Sequence, residues 1–434
     1  MNPKTKKMKF KKSLNLLKKA KRVIPGASQT FSKSYTQFSV GASPLFLTQG
    51  KGAYVWDVDG NRYLDYQMAL CPVILGYNYP EVTEVVKRQL EKGVVLSLPS
   101  PLETELAEKI CSIIPSAEMV RFAKNGSDAT SGAVRVARAY TGREIIACCG
   151  YHGWQDWYVG TTTRDQGVPE STKKLTKTFK YNDIKSLENI FKKYPKKIAG
   201  VIMEPMGVEW PKKNFLGKVK KLTHQNKALL IFDEIVTGFR LSLGGAQEYF
   251  GVLPDLSCFG KAVANGFPLS FICGKKEMMK KFEEIFFSFT FGGELISLAA
   301  ALATIKILKE KKVLEYISKL GYQLQNTYNQ ISKEKGLSKY TEAIGYSSHH
   351  VIQFKNEKGE EDLTMKTIFQ QELVKRGILF GGSNNLSYSH TKKDIQKTIK
   401  AYQEILEIIK RGLDNNNLTR LIKGKKLEQV FRKP

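Results

Sequence analysis

One lysine of this chain stands where a buried amine is expected. Lys261 lies in the stretch "DLSCFGKAVANG" (residues 255–266), between a short apolar run and a segment rich in glycine and alanine. The preceding Phe259 and Gly260 are typical of the end of a strand and the start of a turn. Most lysines are solvated, so an amine that points inward predicts a chemical role and requires suitable partner groups elsewhere in the chain.

The stretch "KNGSDATSGAVRVARAYTG" offers a binding site for an anion. It follows an apolar run and begins a helix, which places Asn125, Gly126 and Ser127 at the helix N-terminus. Backbone N–H groups and a hydroxyl at such a position are suited to a phosphate group. The alternative is that the turn only caps the helix.

Two other stretches contribute a ring and a carboxylate. "CCGYHGW" places the flat side chain of Tyr151 between two glycines, which permit close approach of a ligand, although simple packing is the alternative. "LLIFDE" ends in Asp233 and Glu234 after an apolar run. A buried carboxylate is costly unless it meets a cation, and a salt bridge to an arginine or lysine is the alternative here.

Together these groups match one ligand, pyridoxal phosphate. The amine of Lys261 can form a Schiff base with its aldehyde, and Asp233 can keep its pyridine nitrogen protonated so that the ring accepts electrons. The loop at residues 125–127 would hold the phosphate, and Tyr151 would stack on the ring. We therefore predict this cofactor and no metal.

The residues between Pro80 and about Ile305 alternate short apolar runs with helix-length segments. This pattern predicts a mostly parallel sheet with helices on both faces. Ligands of such sheets bind beyond the carboxyl ends of the strands, where the candidate groups lie. The predicted strands are 119–123, 144–149, 198–204, 228–234, 256–260 and 269–274.

Three domain segments are expected. Residues 80–305 form the large α/β domain, while residues 1–79 and 306–434 combine into a smaller α+β domain. The first segment begins with an amphipathic helix, with Leu14, Leu16 and Leu17 facing inward, and continues with a hairpin around Asp59-Gly60. The last segment contains long helices and a strand "HHVIQF".

The composition is that of an ordinary globular protein. Of 434 residues 42% are hydrophobic, and no apolar run approaches the roughly 20 residues that span a bilayer. The N-terminus lacks the apolar core of a secretory signal. Six cysteines show neither zinc-ligand spacing nor the density of a disulfide framework, which favours reduced cysteines in the cytoplasm.

The formal net charge of +28 permits an acidic partner such as nucleic acid or an anionic membrane. The lysines are nevertheless dispersed along the chain, and no basic motif interleaved with aromatic residues appears. This distribution favours a solvated surface. We therefore expect neither a nucleic-acid partner nor a membrane partner.

At these positions the sequence resembles the class III (subgroup II) aminotransferases of fold type I, and among them most resembles the glutamate-1-semialdehyde 2,1-aminomutase branch. The resemblance extends over about residues 13–410 and includes several motifs in the family's order. These motifs are "VIPGA", "GKGAYVWDVDGNRYLDY", "ILGYNYPEV", "RVARAYTGR", "GYHGW", "IMEP", "FDEIVTGFR", "PDLSCFGK" and "HTKKDIQKTI".

The resemblance implies a role for individual residues. Lys261 would be the Schiff-base lysine and the base that moves a proton between the substrate Cα and the cofactor C4′. Asp233 would pair with the pyridine nitrogen, and Ile235 would pack on the ring face opposite Tyr151. His152 also falls among the family's cofactor-binding positions.

Further roles concern the phosphate and a second subunit. Asn125-Gly126-Ser127 matches the family's Ser-Gly-Thr phosphate loop, and Glu204 matches the carboxylate of the "EP" motif near the active site. Thr290, in "SFTFGGE", matches a threonine that reaches the phosphate from the other subunit. The resemblance thus implies a homodimer with shared active sites.

The sequence departs from the aminomutase pattern around the substrate. Lys33 falls near the arginine that holds the substrate carboxylate, and a lysine offers a point charge where arginine offers a two-pronged clamp. Gly292-Gly293-Glu294 replaces Gly-Asn-Pro, and Val236 replaces a glutamine or methionine. The stretch "GGSNNLSYSHT" lacks the family's Glu-Ala-Gly.

We therefore predict an aminotransferase that moves an amino group from a donor to a small, sugar-like or phosphorylated carbonyl acceptor. One alternative is the aminomutase itself, which moves the amine between adjacent carbons of one substrate. An alternative of another class is a basic scaffold that binds nucleic acid or a membrane and has lost catalysis. The intact set of Lys261, Asp233 and Tyr151 argues against that scaffold.

Overall fold

The computed structural model describes residues 8–429. The strands in this range are β1 (Leu47–Lys51), β2 (Tyr54–Asp57), β3 (Arg62–Asp65), β4 (Met119–Ala123), β5 (Ile145–Cys149), β6 (Thr176–Thr178), β7 (Ile198–Met203), β8 (Leu229–Asp233), β9 (Leu256–Phe259), β10 (Ser270–Gly274), β11 (Thr341–Tyr346), β12 (His349–Phe354), β13 (Ile378–Leu379) and β14 (Ser383–Asn385).

The α-helices in the same range are α1 (Lys11–Val23), α2 (Pro80–Lys92), α3 (Pro101–Cys111), α4 (Gly126–Thr141), α5 (Asp156–Val159), α6 (Glu170–Lys174), α7 (Ile184–Lys193), α8 (Phe215–Gln225), α9 (Ala246–Phe250), α10 (Lys276–Met279), α11 (Leu295–Glu310), α12 (Val313–Glu334), α13 (Leu363–Lys375) and α14 (Lys392–Asp414).

The described chain divides into two compact units. The large unit comprises Cys71–Val73 and Pro80–Leu314. The small unit comprises the described residues up to Leu70, Ile74–Tyr79, and the described residues from Glu315 onward. Each unit has its own sheets, so each is described separately.

The large unit contains a seven-stranded sheet in the order β4-β10-β9-β8-β7-β5-β6. Its strands run parallel except β10, which is antiparallel to both β4 and β9. This arrangement confirms the predicted fold class. All six predicted strands of the sheet form, and the short strand β6 joins the edge as a seventh.

Helices pack on both faces of this sheet because its central strands are apolar on both sides. In β8, Leu229 and Ile231 join one buried cluster, whereas Leu230 and Phe232 join another. Alternate residues of a strand point to opposite faces. The first cluster includes Ala129, Ala133 and Ala137 of α4, and the second includes apolar residues of α7 and α8.

The helix α4 follows β4 and begins near the carboxyl ends of the parallel strands. Asn125 is its N-cap residue, and Asp128 completes a capping box by accepting a hydrogen bond from the Asn125 backbone N–H at 2.7 Å. Gly142 ends the helix with a φ of +65°.

The small unit contains a four-stranded sheet, β1-β2-β3-β13, and a three-stranded sheet, β11-β12-β14. The predicted hairpin forms from β2 and β3, with Asp59-Gly60 in its turn. The predicted inward position of Leu16 in α1 is wrong, because Leu16 is exposed and the buried residues are Ser13, Leu17 and Ala20. Neighbouring helix positions lie about 100° apart, so Leu16 and Leu17 cannot share this narrow face.

No helix in the described range is both long and apolar enough to cross a membrane.

Candidate active site

The candidate residues meet where the parallel strands of the large unit end. Asp233 is the last residue of β8, Glu204 follows β7 directly, and Lys261 comes two residues after the end of β9. The loop 150–153 follows β5. Because β5, β7, β8 and β9 are neighbours in the sheet, their carboxyl ends bring these side chains to one edge.

Lys261 begins a short 3₁₀ turn, Lys261–Ala264, and is half-buried. Its φ is +42°, in the left-handed region that residues with a Cβ rarely adopt. Ala262, Val263 and Ala264 of the same turn are buried. Such strained backbone is concentrated at functional sites, where the surrounding packing has to hold it.

Asp233 is paired with His152. The carboxylate oxygen Oδ2 lies 2.8 Å from Nδ1 of His152, and Oδ1 accepts a hydrogen bond from the backbone N–H of Ile235 at 3.1 Å. Both side chains are buried. Sequence reasoning placed His152 among the cofactor-binding residues but did not predict this pair.

Aromatic side chains fix the position of the imidazole. The ring of His152 stacks on Trp157 with centroids 6.0 Å apart and meets Tyr158 edge-on at 5.4 Å. The backbone carbonyl of His152 accepts a hydrogen bond from the hydroxyl of Thr130 at 2.7 Å. The orientation of His152 is therefore determined by both α4 and α5.

Glu204 connects the ends of β5 and β7. Its Oε2 accepts a hydrogen bond from the backbone N–H of Tyr151 at 3.1 Å. Burial raises the pKa of Glu204, and the nearby charge of Asp233 raises it further, while His152 and Lys261 act in the opposite direction. The four groups are thus close enough to influence one another electrostatically.

Two glycines bracket Tyr151, and both have positive φ. A Cβ at Gly150 would come 2.5 Å from Oε2 of Glu204, and a Cβ at Gly153 would come 2.4 Å from Cβ of Ser127. The sequence predicted that these glycines permit a close approach. The groups that approach them are protein side chains, so the glycines allow the loop to fit between β7 and α4.

The first turn of α4 offers two backbone donors. Within the described residues, no acceptor is found for the backbone N–H groups of Gly126 and Ser127, the first two of the helix. Ser127 itself is buried, whereas Asn125 is exposed and its side-chain amide lies 3.3 Å from the Asp128 carboxylate. The helix N-terminus therefore offers backbone donors and a partial positive charge to an anion.

Ile235 links this loop to the lysine turn. A Cβ at Gly126 or at Gly260 would come 3.1 Å from its Cδ1. The half-buried side chain of Ile235 therefore lies against both the first residue of α4 and the residue before Lys261. The structure brings these predicted residues together as expected of one site.

Thr290 does not join this cluster within the chain. It is exposed, in the segment that leads to α11. The neighbouring Glu294 caps α11 by accepting the N–H of Ile296 at 2.7 Å and forms an ion pair with Lys124 at 2.9 Å. The pair joins this segment to Lys124, the residue before Asn125. It also gives a structural role to Glu294, which stands where the family pattern has proline.

These observations fit pyridoxal phosphate. The site presents a buried carboxylate at Asp233, a half-buried amine at Lys261 and two N–H groups at a helix N-terminus for which the described residues supply no acceptor. An aromatic ring, Tyr151, remains 37% exposed beside them. No group of three potential metal ligands was found in the part of the chain that the structure describes.

Residues 35–409 match the family model "Aminotransferase class-III". The chain belongs to the class III aminotransferases. It is 36% identical over 417 residues to the 3-aminobutyryl-CoA aminotransferase of Cloacimonas acidaminovorans, covering 94% of this chain and 99% of that protein. It is 37% identical over 419 residues to a glutamate-1-semialdehyde 2,1-aminomutase of Thermus thermophilus, covering 89% and 97%.

Solved structures described as transaminases or aminotransferases have the same fold. The PLP internal aldimine form of the FumI protein of Sphingopyxis sp. MTA144 matches with a TM-score of 0.87 and 28% identity, covering 96% of this chain and 99% of that one. A β-phenylalanine aminotransferase from Variovorax paradoxus matches with a TM-score of 0.81 and 25% identity, covering 92% and 94%. The chain is thus a pyridoxal-phosphate-dependent enzyme of fold type I.

Proposed function

We propose that this enzyme is an aminotransferase that moves an amino group from a donor to a small or sugar-like carbonyl acceptor. The observation that supports this most directly is the cluster at the carboxyl ends of β5, β7, β8 and β9, where Lys261, Glu204 and the Asp233–His152 pair lie together. These groups can hold, donate and remove protons.

Pyridoxal phosphate supplies, when bound, an aldehyde carbon that takes up the amino group and a ring that accepts electrons. In our proposal the amine of Lys261 binds the cofactor and moves the proton of the substrate Cα. Asp233 would hold the ring nitrogen by accepting a hydrogen bond from its N–H, and Ile235 and Tyr151 would hold the ring.

The phosphate is assigned to the N-terminus of α4. The backbone N–H groups of Gly126 and Ser127, with the Ser127 hydroxyl, are the proposed donors, and Asn125 begins the same loop. Glu204 is proposed to fix the loop that carries Tyr151, because it accepts that residue's N–H.

Lys33 favours an aminotransferase over the aminomutase. It is exposed, and its charge lowers the pKa of Asp65, a carboxyl group whose pKa burial raises overall to about 6. Above that pH the charge of Asp65 partly offsets that of Lys33. A lysine with a carboxylate neighbour is a weak substitute for the arginine clamp that the aminomutase uses.

The aminomutase remains the second candidate because of the 37% identity to the Thermus thermophilus enzyme. The names of two other relatives specify amino groups on a β-carbon, in 3-aminobutyryl-CoA and β-phenylalanine. We therefore propose that β-amino compounds, including a 3-aminobutyryl thioester, be tested as donors alongside glutamate and simple amines.

A homodimer is also part of the proposal. Apolar side chains are exposed on two segments of the large unit, residues 90–98 and 286–291. The backbone N–H of Leu295, at the start of α11, donates a hydrogen bond to the carbonyl oxygen of Val94 at 2.9 Å. This bond joins the first segment to the helix that follows the second. Exposed apolar patches mark interaction surfaces. The exposed residues are Leu90, Val94, Val95, Leu96, Leu98, Phe286, Phe289 and Phe291.

A cytoplasmic location stays a prediction from the cysteine pattern.

The experiment is a screen of half-reactions. The purified protein with bound cofactor is mixed with single amine donors, and amination of the cofactor is followed by its visible absorption. The aminated enzyme is then mixed with carbonyl acceptors. An aminotransferase gives both half-reactions, whereas an enzyme that converts glutamate-1-semialdehyde efficiently to 5-aminolevulinate is the aminomutase. A protein that no donor aminates and that does not convert glutamate-1-semialdehyde contradicts both proposals.

A further inference from the structure

His152 contacts hydrogen-bond acceptors through both of its ring nitrogens. Nδ1 lies 2.8 Å from the carboxylate of Asp233, and Nε2 lies 3.1 Å from the backbone carbonyl oxygen of Cys149. A neutral imidazole has one N–H donor and one bare acceptor nitrogen, whereas the protonated ring has two donors. Because a carbonyl oxygen has no proton to give, Nε2 must be the donor in its contact.

The contact with Asp233 then needs a proton of its own, either on Nδ1 or on the carboxyl group. The backbone N–H of Ile235 already donates to Oδ1 at 3.1 Å, and a hydrogen bond of this kind favours the ionised carboxylate. An ionised carboxylate in a buried position needs a cation close by. The ring of His152 is in direct contact and can be that cation.

We propose that His152 is a protonated positioning residue, which keeps Asp233 ionised and oriented before the cofactor arrives. This inference rests on the proposed role of Asp233 toward the pyridine N–H. With the proton fixed on the imidazole, Asp233 can only accept a hydrogen bond from that N–H. A protonated Asp233 would be neutral and would bring no charge to that N–H.

The charged groups around His152 are compatible with this assignment. Asp233 comes from the end of β8 and Glu204 from the end of β7, while the Lys261 amine comes from the turn after β9. From α5 the phenol of Tyr158 meets the ring edge-on. Two acidic and two basic groups thus share the site, and the imidazolium balances Asp233 at the shortest distance.

The direct test reads the protonation of the imidazole by ¹⁵N solid-state NMR of protein labelled only in histidine. The chain has five histidines, so the signals of His152 are assigned by their loss in His152→Asn. If that variant does not fold, they are assigned by exclusion with variants of the other four. The spectra are recorded near neutral pH, with the cofactor bound and after its removal.

We expect both ring nitrogens of His152 to carry protons in both states. A bare Nδ1 would place the proton on Asp233, and a bare Nε2 would mean that the Cys149 contact is not a hydrogen bond. Either result overturns the proposal. The cofactor-free spectra do not depend on any catalysed reaction, so a failure of this inference is distinguishable from a failure of the proposed aminotransferase activity.

The positioning role is tested by cofactor affinity. In His152→Asn the amide can still donate to Asp233 but brings no charge, so we expect cofactor binding to weaken about tenfold. His224→Gln is the matched control, because His224 also contacts an aspartate, Asp255, at 2.9 Å but is partly exposed and lies in α8. Unchanged affinity in His152→Asn, or an equal loss in His224→Gln, overturns the role.

Discussion

Gly150 lies against Glu204 so closely that a Cβ at position 150 would come 2.5 Å from the carboxylate oxygen Oε2. Its φ of +105° adds a backbone conformation that other residues rarely adopt. The glycine therefore allows Glu204 to reach the Tyr151 N–H, and this contact holds the loop that carries Tyr151 and His152.

Gly150→Ala should weaken cofactor binding, because Glu204 or the loop has to move. Gly167→Ala is the control: its φ is also positive, +86°, but open space surrounds the position. Both variants should lose about 1 kcal/mol of unfolding free energy from backbone strain, while cofactor affinity should fall only in Gly150→Ala. Denaturant unfolding and cofactor titration measure the two effects. Equal behaviour of the variants would contradict the role of the Gly150–Glu204 contact.

Lys261→Ala should abolish turnover, because the variant lacks the amine that is proposed to bind the cofactor and move the substrate proton. Borohydride treatment of the wild-type enzyme, followed by peptide mapping, should locate the cofactor on Lys261. Lys275→Ala is the control, since Lys275 is ion-paired with Asp255 and partly exposed. Labelling of another lysine would show that the assignment is wrong.

The sequence predicted most of the large unit because its strands are short and apolar on both faces. It missed β6, since Thr176–Thr178 is three residues long and carries the polar pattern Thr-Lys-Thr. It predicted the positions of Lys261 and Asp233 because groups that end buried strands meet at one edge of a parallel sheet.

The partner of Asp233 could not be predicted in the same way. His152 is 81 residues away in the chain, and the contact depends on β7 lying between β5 and β8 in the sheet. No sequence spacing specifies that order. The role of Glu294 was missed for a similar reason, because its partner Lys124 lies 170 residues away.

Asp233→Asn should leave the protein folded and lower turnover by several orders of magnitude. The amide presents no charge to the pyridine N–H, so the ring loses its capacity to accept electrons, while the donors at the start of α4 still bind the phosphate. Turnover and cofactor content are measured on the same preparation. A near-normal rate would mean that another group keeps the ring protonated.

Glu234 should make the protein less stable as the pH rises from about 4.5 to about 7. Burial raises the pKa of this carboxyl group from 4.5 to about 7, although hydrogen bonds from Thr237, Ala246 and Gln247 oppose the shift. The folded state therefore binds the proton more tightly than the unfolded state. The stabilisation is complete below pH 4.5 and is lost as the pH rises through 7.

The measurement is the unfolding free energy at pH values from about 4 to about 8. Glu234→Gln cannot titrate, so the decrease between pH 4.5 and pH 7 should be smaller in this variant than in the wild type. Glu310→Gln, on the exposed part of α11, is the control and should retain the wild-type slope. An unchanged slope in Glu234→Gln would contradict the prediction.

Thr290 should serve the phosphate of the partner chain's cofactor. The residue is exposed in the segment that carries Phe289 and Phe291, which are exposed as well, so a second copy can reach it. A hydrogen bond to a charged group contributes about 1.5–3 kcal/mol. Thr290→Val should therefore weaken cofactor binding by roughly tenfold or more, and Thr290→Ser, which keeps the hydroxyl, should weaken it less.

Mixed dimers distinguish a shared site from a site within one chain. A dimer of one Lys261→Ala chain and one Thr290→Val chain contains, if the site is shared, one position at which a native lysine and a native threonine meet. If Thr290 serves its own chain, no position has both. Cofactor affinity at the remaining lysine should therefore return to the wild-type value in the mixed dimer, measured by titration of the isolated heterodimer. An affinity as weak as that of the Thr290→Val homodimer would place the threonine in its own chain's site and contradict the shared arrangement.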